Sequence, residues 1–277
     1  MPELPEVETV RRGLQPVLEG RRIVALEQRR PNLRIPFPMG FAACVVGRRV
    51  TALRRRAKYL LVDLEDGQVL ICHLGMSGRM VVLAAGSNQP PDKHDHVVFT
   101  VESGERIVYN DHRRFGLMTL TTQRDEAAHP LLAAIALDPL QPGFDAAHLS
   151  ARLAGKQTPI KAALLDQRVV GGVGNIYASE ALHRAGISPR RLAASVAGRR
   201  AQRLVPALVD VLNEAIAAGG SSLRDHRQAS GELGYFQHSF RVYDRAGEPC
   251  PTPGCAGAIG RIVQANRSTF FCGACQR

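Results

Sequence analysis

The sequence predicts a multidomain α+β protein, and three observations predict it. The first 18 residues place apolar side chains at helical spacing. Residues 22–121 break into short β-rich segments separated by turn signals. Beyond 138–143 the pattern turns helical, until a final stretch carries two pairs of cysteines.

The opening helix is read over 6–18, where Val7, Val10, Leu14, Val17 and Leu18 form one apolar stripe and Gly20 supplies a stop. Strand-like segments follow at 22–28, 49–56, 59–64, 68–73, 79–84, 94–102, 105–110 and 116–121. Turns such as Glu65-Asp66-Gly67 and Glu102-Ser103-Gly104 separate them, a spacing that suits a sandwich or a barrel. The stretch 84–93 reads as an exposed loop. Asp138-Pro139-Leu140-Gln141-Pro142-Gly143 reads as a linker, and helices are expected over 145–154, 159–166, 175–185 and 197–217. The polar stretch Ser221–Gly234 has little periodicity, and structureless chain of that length is often functional. Residues 240–277 alternate short strands with cysteine pairs. The expected domains are 1–137, 138–234 and 235–277.

The chain has 277 residues, with 36 Lys and Arg against 25 Asp and Glu, a net charge of +11. Arginine dominates the basic set, and its guanidinium forks onto phosphate. A polyanion partner is therefore expected. No run approaches the ~18 apolar residues of a membrane span, and no apolar secretory leader is seen at the start. A cytoplasmic protein without a membrane partner is expected.

Cys44 and Cys72 sit singly in apolar contexts and read as inert packing residues. Cys250, Cys255, Cys272 and Cys275 form C-x4-C-x16-C-x2-C. Two short Cys pairs on facing hairpin turns supply a tetrahedral thiolate set for one structural Zn2+. A closed four-sulfur shell leaves no open position for substrate, so the ion would stabilise a hairpin too small to fold alone.

Several further motifs carry chemistry. The stretch begins Met-Pro-Glu-Leu-Pro-Glu-Val-Glu. Loss of Met1 would leave Pro2 as a free secondary amine, a class of group with a pKa of ~8. Such an amine can attack an electrophilic carbon and form an imine, with Glu3, Glu6 and Glu8 nearby for proton transfer. The same residues also suit an ordinary helix start. Gly171-Gly172-Val173-Gly174-Asn175 leads into a helix at Ile176, exposing backbone N–H groups to an anion; the GK[ST] ending of a P-loop is missing. His73-Leu74-Gly75-Met76-Ser77-Gly78 and Asp111-His112-Arg113-Arg114-Phe115-Gly116 are turns that offer a Met and a Phe beside arginines, a set suited to entering a base stack. Lys58 follows Arg54-Arg55-Arg56, and Arg267 lies in a polar turn between the ribbon strands, where it is expected at the tip.

Together these residues resemble the formamidopyrimidine-DNA glycosylase family of bacterial base-excision repair. The markers occur in order along the whole chain: PELPEVE, HLGMSG, DHRRFG, VGGVGNIYASEAL, GGSSLRD, GYFQHSFRVYDRAGEPC and RSTFFC before the last cysteines. The resemblance implies an N-terminal helix plus β-sandwich, a helix-two-turns-helix domain and a C-terminal zinc-ribbon β-hairpin, with DNA between two lobes. It implies removal of oxidised purines, 8-oxoguanine and formamidopyrimidines, from double-stranded DNA. Strand cleavage at the resulting abasic site by β,δ-elimination through an imine at Pro2 is also implied. By resemblance Glu3 shuttles protons, Glu6 supports it, and Lys58 contacts DNA during excision. Met76, Arg113 and Phe115 would fill the hole left by the extruded base. His73, Lys161, Asn175, Tyr235 and Arg267 would touch phosphates. Ser222, Leu223, Arg224, Asp225 and His226 would form a loop reading the lesion, mobile without DNA. A monomer in the bacterial cytoplasm is implied.

The first cysteine pair is C-x4-C where the commoner pattern is C-x2-C, and His112 stands where many relatives have Pro. The alternative in the same superfamily is an endonuclease VIII type acting on oxidised pyrimidines. The opening PELPE and the RRFG turn favour the purine-acting type. A catalytically silent zinc-ribbon DNA-binding protein would have no use for the Pro2-Glu3 pair.

Overall fold

A computed structural model describes residues 2–222 and 226–277. Leu223, Arg224 and Asp225, expected in the lesion-reading loop, lie outside the described residues. The chain forms two compact units, Met1–Ala133 with Ala218–Gln237, and Ala134–Ala217 with His238–Arg277. The polar segment after the last long helix therefore returns to the first unit.

In the first unit α1 (Leu4–Leu18) starts two residues before the expected helix start at residue 6. The cause is a reciprocal capping box: Glu3 caps the helix, and its backbone N–H donates to Glu6 Oε2 at 2.8 Å. Leu4, Val7, Val10, Leu14 and Leu18 are buried along one face. Each contributes roughly 1.5–3 kcal/mol of apolar transfer. Glu8 is buried as well. It pairs with Arg11 at 2.9 Å, Arg12 at 2.8 Å and Arg55 at 3.1 Å. Burial opposes its charge, yet these guanidinium groups hold the carboxyl at about 2.

The strands are β1 (Ile23–Gln28), β2 (Val50–Arg56), β3 (Tyr59–Leu64), β4 (Gln68–His73), β5 (Arg79–Leu83), β6 (Asp95–Val101), β7 (Arg106–Asn110) and β8 (Leu117–Thr122). They make two four-stranded sheets of order β1-β6-β7-β5 and β2-β3-β4-β8. Every pairing is antiparallel. One apolar core takes Ile23, Val97, Phe99, Ile107 and Met80 from the first sheet and Leu60, Val62, Leu70 and Cys72 from the second, with the α1 face. This is a sandwich, which removes the barrel alternative. A short helix, α2 (Phe41–Val45), was not legible: five residues hold too little of a 3.6 period, and only Phe41 and Val45 are buried. Cys72 is fully buried as expected, and burial pushes its thiol up; Cys44 is only half-buried.

Two turns of this sandwich meet backbone to backbone. Gly75 has φ 67°, and a Cβ there would lie 2.3 Å from the Phe115 carbonyl carbon. Asp111, fully buried, locks the pair. Its carboxylate accepts from Ser77 Oγ at 2.5 Å, Tyr109 Oη at 3.1 Å and the Gly116 N–H at 2.9 Å. Ser77 Oγ in turn accepts the Arg113 N–H at 3.2 Å. One acid thus ties the turn bearing Met76 to the turn bearing Arg113 and Phe115.

The second unit holds α3 (Ala146–Leu153), α4 (Ile160–Leu165), α5 (Asn175–Arg184) and α6 (Arg199–Ala217). The hairpin β9 (Ile259–Gln264) and β10 (Arg267–Cys272) completes it. Helix α5 begins at Asn175 with Gly174 as its cap. The hairpin tip is Ala265-Asn266, both with positive φ, 46° and 59°, as a two-residue turn requires. Arg267 is therefore not at the tip, as expected, but opens β10 opposite Gln264. Among the described residues no helix is long and apolar enough to cross a membrane.

Replacing Asp111 by Ala leaves three buried donors without their acceptor, at about 1–3 kcal/mol each. We expect Asp111→Ala to lower the urea midpoint of the first unit's unfolding, with Asp111→Asn losing less. Equal stability of wild type and Asp111→Ala would contradict the locking role.

Candidate active site and metal centre

Pro2 and Glu3 are buried at the start of α1. The Glu6 carboxylate fixes this end from both of its oxygens. Oε2 accepts the Glu3 N–H, and Oε1 accepts the Ser221 N–H at 2.8 Å. The polar segment is thereby pinned to the first turn of α1. Gly220, φ 82°, makes the approach possible, since a Cβ there would lie 3.2 Å from Glu6 Cγ and 3.1 Å from His226 Nε2. Ser222 Oγ donates to the His226 carbonyl at 2.7 Å and accepts the Gly234 N–H at 2.8 Å. The His226 ring is buried with Nε2 3.3 Å from the Gly219 carbonyl. Burial lowers its pKa against the raising effect of Glu6. Of the five residues expected to read the lesion, Ser222 and His226 are thus hydrogen-bonded to each other, with His226 within the field of Glu6.

Lys58 and Ala57 form the two-residue turn between β2 and β3, with Ala57 at φ 52°. Lys58 is 7% exposed. Its charge acts on His73 at the end of β4, as does that of Arg34. His73 Nδ1 accepts the Gly75 N–H at 2.9 Å. A neutral imidazole whose Nδ1 accepts must carry its proton on Nε2. Burial first, then Lys58 and Arg34, lower its pKa to about 4. The ring is therefore a fixed Nε2–H donor at neutral pH, the form that can bind a phosphate oxygen without carrying charge.

Met76 is 37% exposed and Phe115 45%, unusual for such side chains. The Arg113 guanidinium lies 4.7 Å from the Phe115 ring centroid. These three expected residues come together at the turns that Asp111 locks. His112 is exposed, its ring 6.0 Å from that of His94. Tyr235 is 63% exposed.

In the second unit Asn175, at the start of α5, donates from Nδ2 to the Ser268 carbonyl at 3.0 Å. Lys161 is fully buried. Its ammonium donates to Asn175 Oδ1, to the Ser268 carbonyl at 3.1 Å and to Thr269 Oγ1 at 2.8 Å. An ammonium has three donors, and here they face inward. Lys161 thus stands behind Asn175 and β10 and organises them, rather than presenting its charge at the surface as expected for a phosphate contact. Arg267 is exposed beside them.

Three residues were not singled out from sequence. Arg34 is exposed and tied to the Phe115 turn by its N–H donating to the Gly116 carbonyl at 3.0 Å. Glu180, fully buried, accepts the N–H groups of Arg241, Val242 and Tyr243 at 2.9, 3.0 and 2.8 Å. Asp111 is the third. Arg34 and Glu180 act through backbone contacts distant in sequence, and Asp111 through the Ser77 hydroxyl, 34 positions away; only the burial of an acid or the break in a strand pattern could have flagged them.

Cys250, Cys255, Cys272 and Cys275 place their Sγ atoms within 4.8 Å of one another. Cys250–Cys275 is 3.7 Å and Cys255–Cys272 3.6 Å. A tetrahedron with metal–sulfur bonds of ~2.3 Å has edges of about 3.8 Å, so the set fits a metal ion. The longer C-x4-C knuckle closes by a turn, with the Cys255 N–H donating to the Thr252 carbonyl at 3.0 Å and Gly254 at φ 73°. The inserted residues leave the sulfur positions intact.

The depressed pKa of His73 links to stability with a definite sign. Between 6.5 and about 4 the unfolded chain binds more protons at this residue than the folded one, so stability falls as pH drops through that window. Unfolding free energies measured across it should fall more steeply for the native protein than for His73→Gln. Equal slopes would contradict a neutral, half-buried His73.

The N-terminal domain model of formamidopyrimidine-DNA glycosylase matches residues 1–118, and the H2TH domain model of the same enzyme matches 135–227. The formamidopyrimidine-DNA glycosylase of Beijerinckia indica is 60% identical over 288 residues, covering all of both chains. The structure of Lactococcus lactis Fpg with DNA containing an abasic site has a TM-score of 0.88 at 32% identity, covering 99% of each chain. A Lactococcus lactis Fpg mutant bound to Fapy-dG DNA gives 0.90 at 32% identity over 100% of both chains. On this evidence the chain belongs to the formamidopyrimidine-DNA glycosylase family of DNA-repair enzymes.

Proposed function

We propose that this chain excises oxidised purines, 8-oxoguanine and formamidopyrimidines, from double-stranded DNA and then cuts the strand as a lyase at the abasic site. The observation that carries the reading is the Glu6 carboxylate, which fixes the residue next to Pro2 and the base of the polar segment together. Once Met1 is removed, the Pro2 amine attacks the sugar carbon that bore the base. Proline is a secondary amine, so the resulting imine has no N–H to lose and stays cationic. That charge acidifies the neighbouring sugar C–H and drives β- and then δ-elimination. Glu3 moves the protons, Glu6 supports it, and Lys58 adds positive charge against the DNA.

In this reading Met76 and Phe115 restack the gap left by the extruded base, and Arg113 hydrogen-bonds the orphan cytosine. His73, Asn175, Tyr235 and Arg267 hold phosphates, with Lys161 aligning Asn175. The segment Ser222–His226 reads the lesion carbonyl through backbone N–H groups. The four thiolates hold one structural Zn2+, which stabilises the hairpin carrying Arg267. Residues 1–137, 138–234 and 235–277 serve as catalytic, helical and ribbon modules of a monomer working in the bacterial cytoplasm. The Lactococcus lactis complexes with abasic-site and Fapy-dG DNA support the substrate class.

Borohydride should trap a covalent complex between the processed protein and lesion DNA, and Pro2→Gly should abolish or strongly weaken it. Glu3→Gln should lower turnover about 10²–10⁴-fold. An absent adduct from protein shown by mass spectrometry to lack Met1 would overturn the lyase reading. Paired duplexes carrying 8-oxoguanine or thymine glycol should be cut with preference for the purine; the reverse would indicate the endonuclease VIII type. Affinity should fall linearly with log salt, and Arg267→Ala should reduce the slope by about one. Cys272→Ser should lose both zinc and DNA binding.

A further inference from the structure

Helix α5 ends against the cysteine cluster. His183, in its last turn, is 3% exposed. Its Nε2 lies 3.5 Å from Cys250 Sγ, 4.0 Å from Cys275 Sγ and 3.3 Å from Thr252 Oγ1. Its Nδ1 is buried without a hydrogen-bond partner among the described residues. We propose that His183 is a positioning residue of the metal centre, its Nε2–H donating to the Cys250 thiolate and tying the ribbon to α5. The inference rests on the four-thiolate zinc reading above.

The proton location follows from geometry in either protonation state. An imidazolium carries a proton on both nitrogens. A neutral ring with its proton on Nδ1 would bury an unpaired donor and turn the Nε2 lone pair toward thiolate sulfur. Both consequences are unfavourable. The Nε2–H form leaves only the weaker cost of an unpaired Nδ1 lone pair and turns a donor toward the thiolate. Four thiolates around a divalent ion carry a net charge of about −2, which favours N–H and O–H donors aimed at sulfur. Two more donors are present: the Gly257 N–H, 3.4 Å from Cys255 Sγ, and Thr252 Oγ1, 3.8 Å from Cys275 Sγ. Gly257 has no room for a side chain, since its Cβ would lie 2.8 Å from Cys272 Sγ.

The contact also completes a pattern along α5. Asn175 at its start holds the Ser268 carbonyl, Glu180 holds three successive N–H groups of 241–243, and His183 holds the cysteine knuckle. The nine residues from Asn175 to His183 span about 12 Å of helix. Through His183 the metal centre and the Asn175 end of α5 share one rigid element.

The test compares native protein with His183→Phe, which keeps a ring and loses the donor, and His183→Gln, whose side-chain amide keeps a donor near Nε2. Readouts are zinc content, the rate of zinc loss to excess chromogenic chelator, and the sulfur-to-metal charge-transfer band of the cobalt-substituted protein. His183→Phe should release zinc about 10–100-fold faster and shift the band, and His183→Gln should restore both. In wild-type protein loaded with NMR-active cadmium, the His183 Nε2–H signal should be split by the metal through sulfur, a measurement that needs no variant to fold. One bound zinc with unchanged release in His183→Phe, equal loss in both variants, or an unsplit cadmium signal would overturn this inference alone. Native protein that binds no zinc would overturn the four-thiolate reading and this inference with it.

Discussion

The Glu6 carboxylate is the constraint on which the rest of the first unit's site depends. A carboxylate at the third position of a helix ordinarily closes a capping box and does nothing more. Here one oxygen closes the box on Glu3 and the other accepts the Ser221 N–H, more than two hundred positions along the chain. The proposed nucleophile and the base of the polar segment are therefore held by a single group. Glycine suits position 220 in that contact, because its φ of 82° is one few side chains adopt and a Cβ would press on Glu6 and His226. Removing the Glu6 charge would loosen both ends at once, so the two ends of the proposed site are coupled through one carboxylate.

A second buried acid does comparable work between two turns of the sandwich. Asp111 gathers a hydroxyl, a phenol and a backbone N–H, and the result is an exposed Met, Arg and Phe on a fixed base. Exposed apolar side chains grouped at one place point to a surface that a partner covers. A glycine-bounded turn gives them no freedom to fold back, and Gly75 leaves no room between its turn and the Phe115 backbone. The cost of burying Asp111 is offset by the donors it satisfies.

Much of this architecture was legible in the sequence because period and punctuation agree there. The strands at 59–64 and 68–73 have the expected bounds, since apolar runs between Gly and Asp turns leave little latitude. The four cysteines were legible because thiolate spacing is a chemical signature. What escaped notice has a common physical cause. Phe41–Val45 is too short to show a period. Glu180 looks like a surface acid until the chain brings three distant N–H groups to it, and Asp111 until the distant Ser77 hydroxyl reaches it. Lys161 reads as a phosphate contact because a lysine in a basic chain usually faces solvent, whereas its ammonium is consumed by Asn175 and β10. Arg267 was placed at a hairpin tip, but the tip needs positive φ at two residues, and Ala265 and Asn266 supply it.

The two units solve the same problem by different means. In the first, Glu6 and Asp111 can be buried because each oxygen meets an N–H or O–H, so neutral donors carry the desolvation. In the second, the buried cation Lys161 meets oxygens of Asn175, Ser268 and Thr269, and the buried anion Glu180 meets three backbone N–H groups. An ion pair in their place would fix the positions of two side chains relative to each other but leave the backbone free to shift. Hydrogen bonds to backbone atoms fix the chain itself, which matters where an exposed Arg267 or an Asn175 amide must meet a phosphate at a set distance. The net charge of +11 then remains for the surface, where it can attract a polyanion over a longer range than any of the contacts that position it.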